Sequence, residues 1–256
     1  MLTISKEQIQ IFDKHEIFKF QTELLHRYQS IFPSQCRYLG TNQLFELIRY
    51  GYDKAIKYGF EMKNQIFLYI CLMFKIGSNF DKDIQFEWLT EILNSEDDVD
   101  SATRMTLLYD SVMKYLSEIS GENDMYFHSA LLKLLKEYHL IKSESFSTDT
   151  DILEMFNYVY PQKYKYLEID KLNKIIEVFR ETSHKYDIHD KNGVVILILY
   201  MFLLGDNFFN DPQFPWAMKA FNNNEQMKPE IKLSLLYHDT KTILPKYFFI
   251  NVGKTG

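Results

Sequence analysis

One pattern of 26 residues occurs twice in this chain, and that repetition constrains the fold more than any other feature. Residues 63–88 read KNQIFLYICLMFKIGSNFDKDIQFEW and residues 191–216 read KNGVVILILYMFLLGDNFFNDPQFPW. Twelve of the 26 positions are identical, without a gap, at an offset of 128 residues. Both tryptophans of the protein, Trp88 and Trp216, fall on the same position of the pattern. The offset continues on either side. It joins Phe32-Pro33 to Tyr160-Pro161, Leu44 and Ile48 to Leu172 and Ile176, Tyr58 to Tyr186, and Leu107-Leu108-Tyr109 to Leu235-Leu236-Tyr237. Duplication and fusion of one unit accounts for a gapless match of that length, the unit running from about residue 23 to 110 and again from about 151 to 238.

Each unit reads as four to five helices. In residues 43–58, Leu44, Leu47, Ile48, Gly51, Ala55 and Tyr58 recur at the three- and four-residue steps of one helix face, with Thr41 or Asn42 to cap and Gly59 to stop. Residues 63–76 and 192–204 are apolar nearly all round, which places each at the centre of its unit. Gly77 and Gly205 follow as left-handed helix stops. Asp83 and Asp211 are read as N-caps of the next helix, with Pro212 at its first position. Phe86, Trp88, Phe214 and Trp216 then pack back on the apolar helices. Further helices are expected over 101–119 and from 229 to about 240. Outside the repeat, residues 3–15 form a leading helix opened by Ser5, with Gln8 completing a capping-box spacing. Residues 122–140 are strongly amphipathic and connect or buttress the units. The scarcity of Gly (9) and Pro (6) agrees with long helices and short connections. The expectation is therefore an all-α fold of two diverged copies packed together. Its parts are residues 1–140, a Ser/Thr-rich linker at 141–150 (IKSESFSTDT), and residues 151–256.

The net charge of -6 argues against a nucleic-acid surface. Cys36 and Cys71 sit in no metal-ligand spacing and read as buried, reduced thiols. The start MLTISKEQIQIF lacks the basic and apolar runs of a signal peptide. The longest apolar stretch, 194–204, has 11 residues and is too short to span a bilayer. A cytoplasmic protein without membrane or nucleic-acid partners is expected.

No phosphate-binding glycine loop, nucleophile elbow or HExxH occurs. The seven histidines occupy no matching positions in the two copies, and His184, His189 and Asp190 fit no strong metal pattern. Asp81 and Asp83 do not make a calcium loop, since the alternating ligands and central Gly are missing. No metal, cofactor or catalytic set is expected, and the chain reads as a binding protein rather than an enzyme. The repeated box Gly-x-Asn-Phe-x-x-Asp-x-Gln-Phe-x-Trp reads first as a folding signature resting on Gly77, Asp83, Trp88, Gly205, Asp211 and Trp216. Asn79 and Gln85 are its members least explained by packing. The acidic run Glu96, Asp97, Asp98 and Asp100 has no acidic counterpart in the second copy, as a contact for a basic partner would. Those six polar residues are the candidate partner-binding positions.

The stretches IRYGYDKAIKYGF and LYICLMFKIGSNFDKDIQFEWLTEIL resemble small proteins encoded in bacterial type VI secretion effector clusters. The resemblance rests on Arg49-Tyr50-Gly51, Tyr58-Gly59, Met73-Phe74, Gly77, Phe80-Asp81 and Trp88. It covers the first 95 or so residues; the second copy has Glu177-Val178-Phe179 and Tyr186-Asp187 instead. What the resemblance implies is a setting: a protein partner, either a toxin effector or a component of the secretion spike. An immunity protein that neutralises the toxin is the leading expectation. An adaptor or chaperone that loads the effector onto the spike is the alternative.

Overall fold

The structure is a computed structural model and describes residues 6–95, 99–143, 148–222 and 227–248. Among them there are twelve α-helices and no strand. The first half holds α1 (Lys6–Ile31), α2 (Pro33–Lys57), α3 (Lys63–Ile76), α4 (Glu87–Leu93) and α5 (Ser101–Ile119). After α6 (Met125–Ser143) come α7 (Asp149–Val159), α8 (Pro161–Leu167), α9 (Ile169–Lys185), α10 (Lys191–Leu204), α11 (Pro215–Phe221) and α12 (Pro229–Phe248). Single 3-10 turns occupy Ile84–Phe86, Glu122–Asp124 and Phe208–Asn210.

The two apolar helices organise the packing. In α10 every residue from Gly193 to Leu204 is buried, with α6, α7, α9 and α12 packed around it. Burying such a helix is the main apolar contribution to its half, because no polar side chain needs water. α3 is covered by α1, α2 and α5, yet Phe67, Leu68 and Cys71 on one of its faces remain only half-buried. One continuous apolar core runs through both halves. Helices also cross between them: α5 packs on α8, and α12 packs on α2. Gly51 lets α2 and α3 approach closely, for a Cβ there would lie 2.6 Å from Ile70 and 2.7 Å from Met73.

Several local expectations are corrected. Asp83 and Asp211 accept from the Gln85 and Gln213 N–H groups but cap only short turns; the N-caps of α4 and α11 are Phe86 and Phe214, and Pro212 does not open the helix. Residues 211–214 form a turn and Pro215 stands in the first helical turn of α11. Gly77 (φ 97°, ψ 148°) and Gly205 (φ 105°, ψ 154°) are not left-handed helical. They occupy the extended region at positive φ, which a Cβ makes nearly inaccessible. Phe86 packs on Tyr115 of α5 and Phe214 on Tyr247 of α12. The helix expected over 43–58 is the far part of α2, which bends at Gly40 (φ 71°, ψ 167°). The leading helix extends to Ile31, and Ser5 lies outside the described residues. At the linker, α6 continues to Ser143, and a reciprocal capping box between Thr148 and Asp151 opens α7 at once. Residues 144–147 lie outside the described residues.

Gly40 has its 128-residue counterpart in Glu168, which adopts φ 57°, ψ 157° between α8 and α9. A side chain held there stores strain of order 1–3 kcal/mol, partly offset by the greater unfolded freedom of glycine. Glu168→Gly is expected to stabilise the protein by about 1 kcal/mol, and Gly205→Ala to destabilise it by about 2 kcal/mol or more. Urea denaturation of both variants checks the pair. A Glu168→Gly midpoint at or below that of the unchanged protein contradicts the strain at this bend.

Candidate functional site

The repeated box folds into a set of crossed hydrogen bonds between the two halves. Asp83 Oδ1 accepts from the Gln85 N–H at 2.8 Å, holding its own turn. Its Oδ2 accepts from Gln85 Nε2 at 3.1 Å and from the Asp206 N–H, across the junction, at 3.0 Å. Gln85 Nε2 also donates to the Met201 carbonyl at the end of α10, 3.2 Å away. The other half answers at positions 128 apart. Asp211 Oδ1 accepts from the Gln213 N–H at 2.8 Å and its Oδ2 from the Ser78 N–H at 2.7 Å. Gln213 Nε2 donates to the Met73 carbonyl at the end of α3 at 2.8 Å and to Ser78 Oγ at 3.0 Å. Helix ends leave carbonyls without intrahelical partners. Here the Met73 and Met201 carbonyls keep the N–H of Gly77 and Gly205 and each gain a second donor, a side-chain amide from the opposite half. The glycines permit this approach: a Cβ on Gly205 would lie 3.2 Å from Asp83 Oδ2.

Burial raises the carboxyl pKa of Asp83 and Asp211 above the ordinary range, outweighing the N–H donors that lower it. Asp206 is pushed up to about 8 by burial and by the neighbouring Asp83 charge, with the Ile84 N–H acting the other way. Position 78 holds Ser where position 206 holds Asp, and position 212 holds Pro where position 84 holds Ile. Proline has no N–H for an acid to accept, so the neutral Ser78 suits that side. Lys163, 4% exposed, donates to the Phe202 carbonyl at 2.6 Å and lies over the Phe202 ring at 5.0 Å. Burial lowers its pKa to about 8, while the Asp83 charge raises it. Lys163 and Gln85 line a cavity of about 80 Å³ at the junction, with Phe86 and Phe214 among its walls.

The residues that carry the resemblance also meet inside. Lys54 Nζ pairs with Asp81 and donates to the Ser78 carbonyl at 2.9 Å. Tyr58 donates to Asp81 Oδ2 at 2.9 Å, and Tyr50 donates to Asn79 Oδ1. In the second half, Lys54, Tyr50 and Asp81 give way to Thr182, Val178 and Phe209. Phe209 there packs on Tyr186 at 4.3 Å and on Phe221 at 5.5 Å. An ion pair at one site and an aromatic cluster at the other fill the same place.

The candidate partner-binding residues scatter. Gln85 is fully buried and spent on the crossed bonds, so it is no surface residue. Asn79 is half-buried and accepts from Tyr50 and Lys54. Asp100 is exposed but caps α5 through the Ala102 and Thr103 N–H groups. Glu96, Asp97 and Asp98 lie outside the described residues. Of the box tryptophans, Trp216 is buried and Trp88 half-buried. Cys36 is buried, but Cys71 is only partly so, and burial pushes both thiols up to about 12, leaving them protonated. The His184 and His189 rings lie 5.2 Å apart, tilted by 37°, while Asp190 caps α10 through the Gly193 N–H. Among the described residues no group of three or more His, Cys, Asp or Glu could hold a metal ion, and no helix is long and apolar enough to cross a membrane.

What reading along the chain missed is a groove of about 1130 Å³ on the first half. Its floor is the half-buried face of α3, with Leu68, Cys71 and Phe67, the last partly covered by the stacked Tyr28 ring of α1; Phe32, Tyr109 and Met113 form walls. Lys75, Asp124 and His128 mark one end, with Lys75 and Asp124 paired at 3.1 Å. Ile31 and Met125 at its rim are 49% and 53% exposed. A large apolar concavity is the usual form of an interaction site. The signal was present as side chains on α3, but its exposure depends on helices distant in sequence.

Replacing Gln213 by Leu removes three buried hydrogen bonds at once: those to the Met73 carbonyl, which keeps the Gly77 N–H, and to Ser78 Oγ, and the one accepted from the Tyr247 hydroxyl. A cost of about 2–4 kcal/mol is expected for those buried groups, read by urea or thermal denaturation. The Asp206 carboxyl titrates higher folded than its ordinary 3.8. The folded state therefore holds that proton more tightly, so stability falls as pH rises from about 4 through about 8. Asp206→Asn should flatten this slope, measured below pH 8 because Lys163 acts in the opposite sense above it. An unchanged slope contradicts the burial of that carboxyl. Set beside known proteins, the chain matches no family model, no curated protein and no solved structure.

Proposed function

We propose that this chain is a tandem duplicate acting as a non-enzymatic binding protein in the cytoplasm, and that its partner is a type VI secretion toxin effector which it neutralises as an immunity protein. The observation that carries the binding role is the groove on α3, a largely apolar concavity of about 1130 Å³ beside exposed Ile31, Tyr109 and Met125. The duplication is supported by the matched sequence and by the crossed bonds whose donors and acceptors recur at the 128-residue offset. The type VI setting is supported by the resemblance around Arg49-Tyr50-Gly51 and Phe80-Asp81. Those residues build the interior, apart from the exposed Arg49, so they speak for a shared fold and the groove speaks for the contact.

Co-expression with the effector encoded beside it is expected to restore growth of cells that the effector alone kills. Tyr109→Glu with Met125→Glu should weaken effector binding about 10- to 100-fold, since a charge would be buried at the contact. Growth that stays arrested on co-expression sinks the immunity reading. Loss of effector secretion on deleting the gene, with no sensitivity to sister cells, transfers the role to an adaptor.

A further inference from the structure

The second half shows what lies on the same face when it is covered. Positions 128 after Phe67, Leu68 and Cys71 are Val195, Ile196 and Leu199, which are 3%, 2% and 0% exposed. α6 covers this region of the second half: it packs along α10, and its Tyr138 ring stacks on Tyr237 at 4.0 Å. Tyr237 is the counterpart of the groove residue Tyr109. The buried face of α6 is apolar at helical spacing: Ala130, Leu131, Leu134, Tyr138 and Ile141. α6 can lie there because the chain breaks between it and α7. In the first half the matching stretch, residues 6–15, belongs to α1, one helix of 26 residues that runs unbroken to Ile31. An unbroken helix of that length extends about 39 Å and does not fold back on its neighbour. The face that α6 fills on α10 therefore stays open on α3.

We propose that the groove on α3 docks an amphipathic α-helix supplied by a partner protein, seated as α6 is on α10. This names the kind of contact for the binding role above and rests on that role. The apolar stripe of the incoming helix packs on Leu68, Cys71 and Met113, and its polar face turns to solvent past the Lys75–Asp124 pair. Affinity comes from burial of apolar area on a preformed groove, the helix-in-groove mode of recognition.

The test uses the full chain and two displayed peptide libraries of equal composition. One places Leu, Ile and Tyr at steps of three and four residues; the other alternates them with polar residues. The helical library is expected to yield binders whose Kd rises at least tenfold in Tyr109→Glu and in Met125→Glu, but not in Ile231→Glu on the exposed face of α12. Equal yields from both libraries, or binders indifferent to the groove substitutions, overturn the proposal. Methionine-methyl NMR of the unsubstituted protein guards against misfolded variants. Binders should shift Met113 and Met125 and leave the buried Met201 in place; the reverse pattern overturns the proposal. So does a dimer, seen by sedimentation without peptide, that Tyr109→Glu dissociates, because the occupant is then a second copy. Helical binders at the groove together with failed effector protection would leave this inference standing and remove the immunity role. Effector protection insensitive to Tyr109→Glu would do the opposite.

Discussion

The crossed pairing of Asp83 with the Asp206 N–H, and of Asp211 with the Ser78 N–H, is the contact on which the rest of the architecture depends. Each carboxylate holds its own turn with one oxygen and the opposite half with the other. Gln85 and Gln213 then add a second donor, from the opposite half, to the Met201 and Met73 carbonyls that already accept from the Gly205 and Gly77 N–H groups. Because these groups are sealed from water, each half has its polar requirements met only when the other is in place. The apolar core follows the same logic, continuing through the junction rather than closing within each half.

Within that frame, positions 128 apart carry different physical solutions in the two halves. Lys54, Tyr58 and Asp81 form an ion-pair network where Phe209, Tyr186 and Phe221 form an aromatic cluster. A buried ion pair contributes little net stability over a well-packed apolar substitute, so such an exchange is energetically accessible when all partners change together. The same reasoning links Asp206 to Ile84 and Ser78 to Pro212. The largest divergence is in covering. α6 lies over α10, while the matching face of α3 remains open as the groove. The half that is apolar all round is thus the enclosed one, and the half with a polar network presents the free surface.

Much of the helical pattern was legible along the chain. Residues 63–76 and 101–119 form helices at the expected bounds, while Asp83 and Asp211 hold short turns ahead of α4 and α11, whose N-caps are Phe86 and Phe214. Reading stopped short where side chains serve two masters. Asp83 was legible as a local cap because its Gln85 N–H is two residues away, but its bond to Asp206 spans 123 residues. Gln85 looked free because the second acceptor of its amide, the Met201 carbonyl, belongs to a helix 116 residues away, and only the first, Asp83 Oδ2, is local. The conformation at Gly77 and Gly205 escaped for the same reason. A left-handed stop is the local preference, and close approach of the other half selects the more extended form.

The amino-acid sequence by itself determined the all-helical class, the bounds of helices such as 63–76 and 101–119, and the matching of residue types 128 apart, because these depend on neighbours within a turn or two and on the residues themselves. Only the tertiary structure decided that the repeated box locks the two halves to each other, and that α3 is exposed where α10 is enclosed. Those outcomes hang on where α6 folds and on carbonyls whose partners lie more than a hundred residues away. Side-chain periodicity tells which face of a helix is apolar; it does not tell whether another helix arrives to cover it.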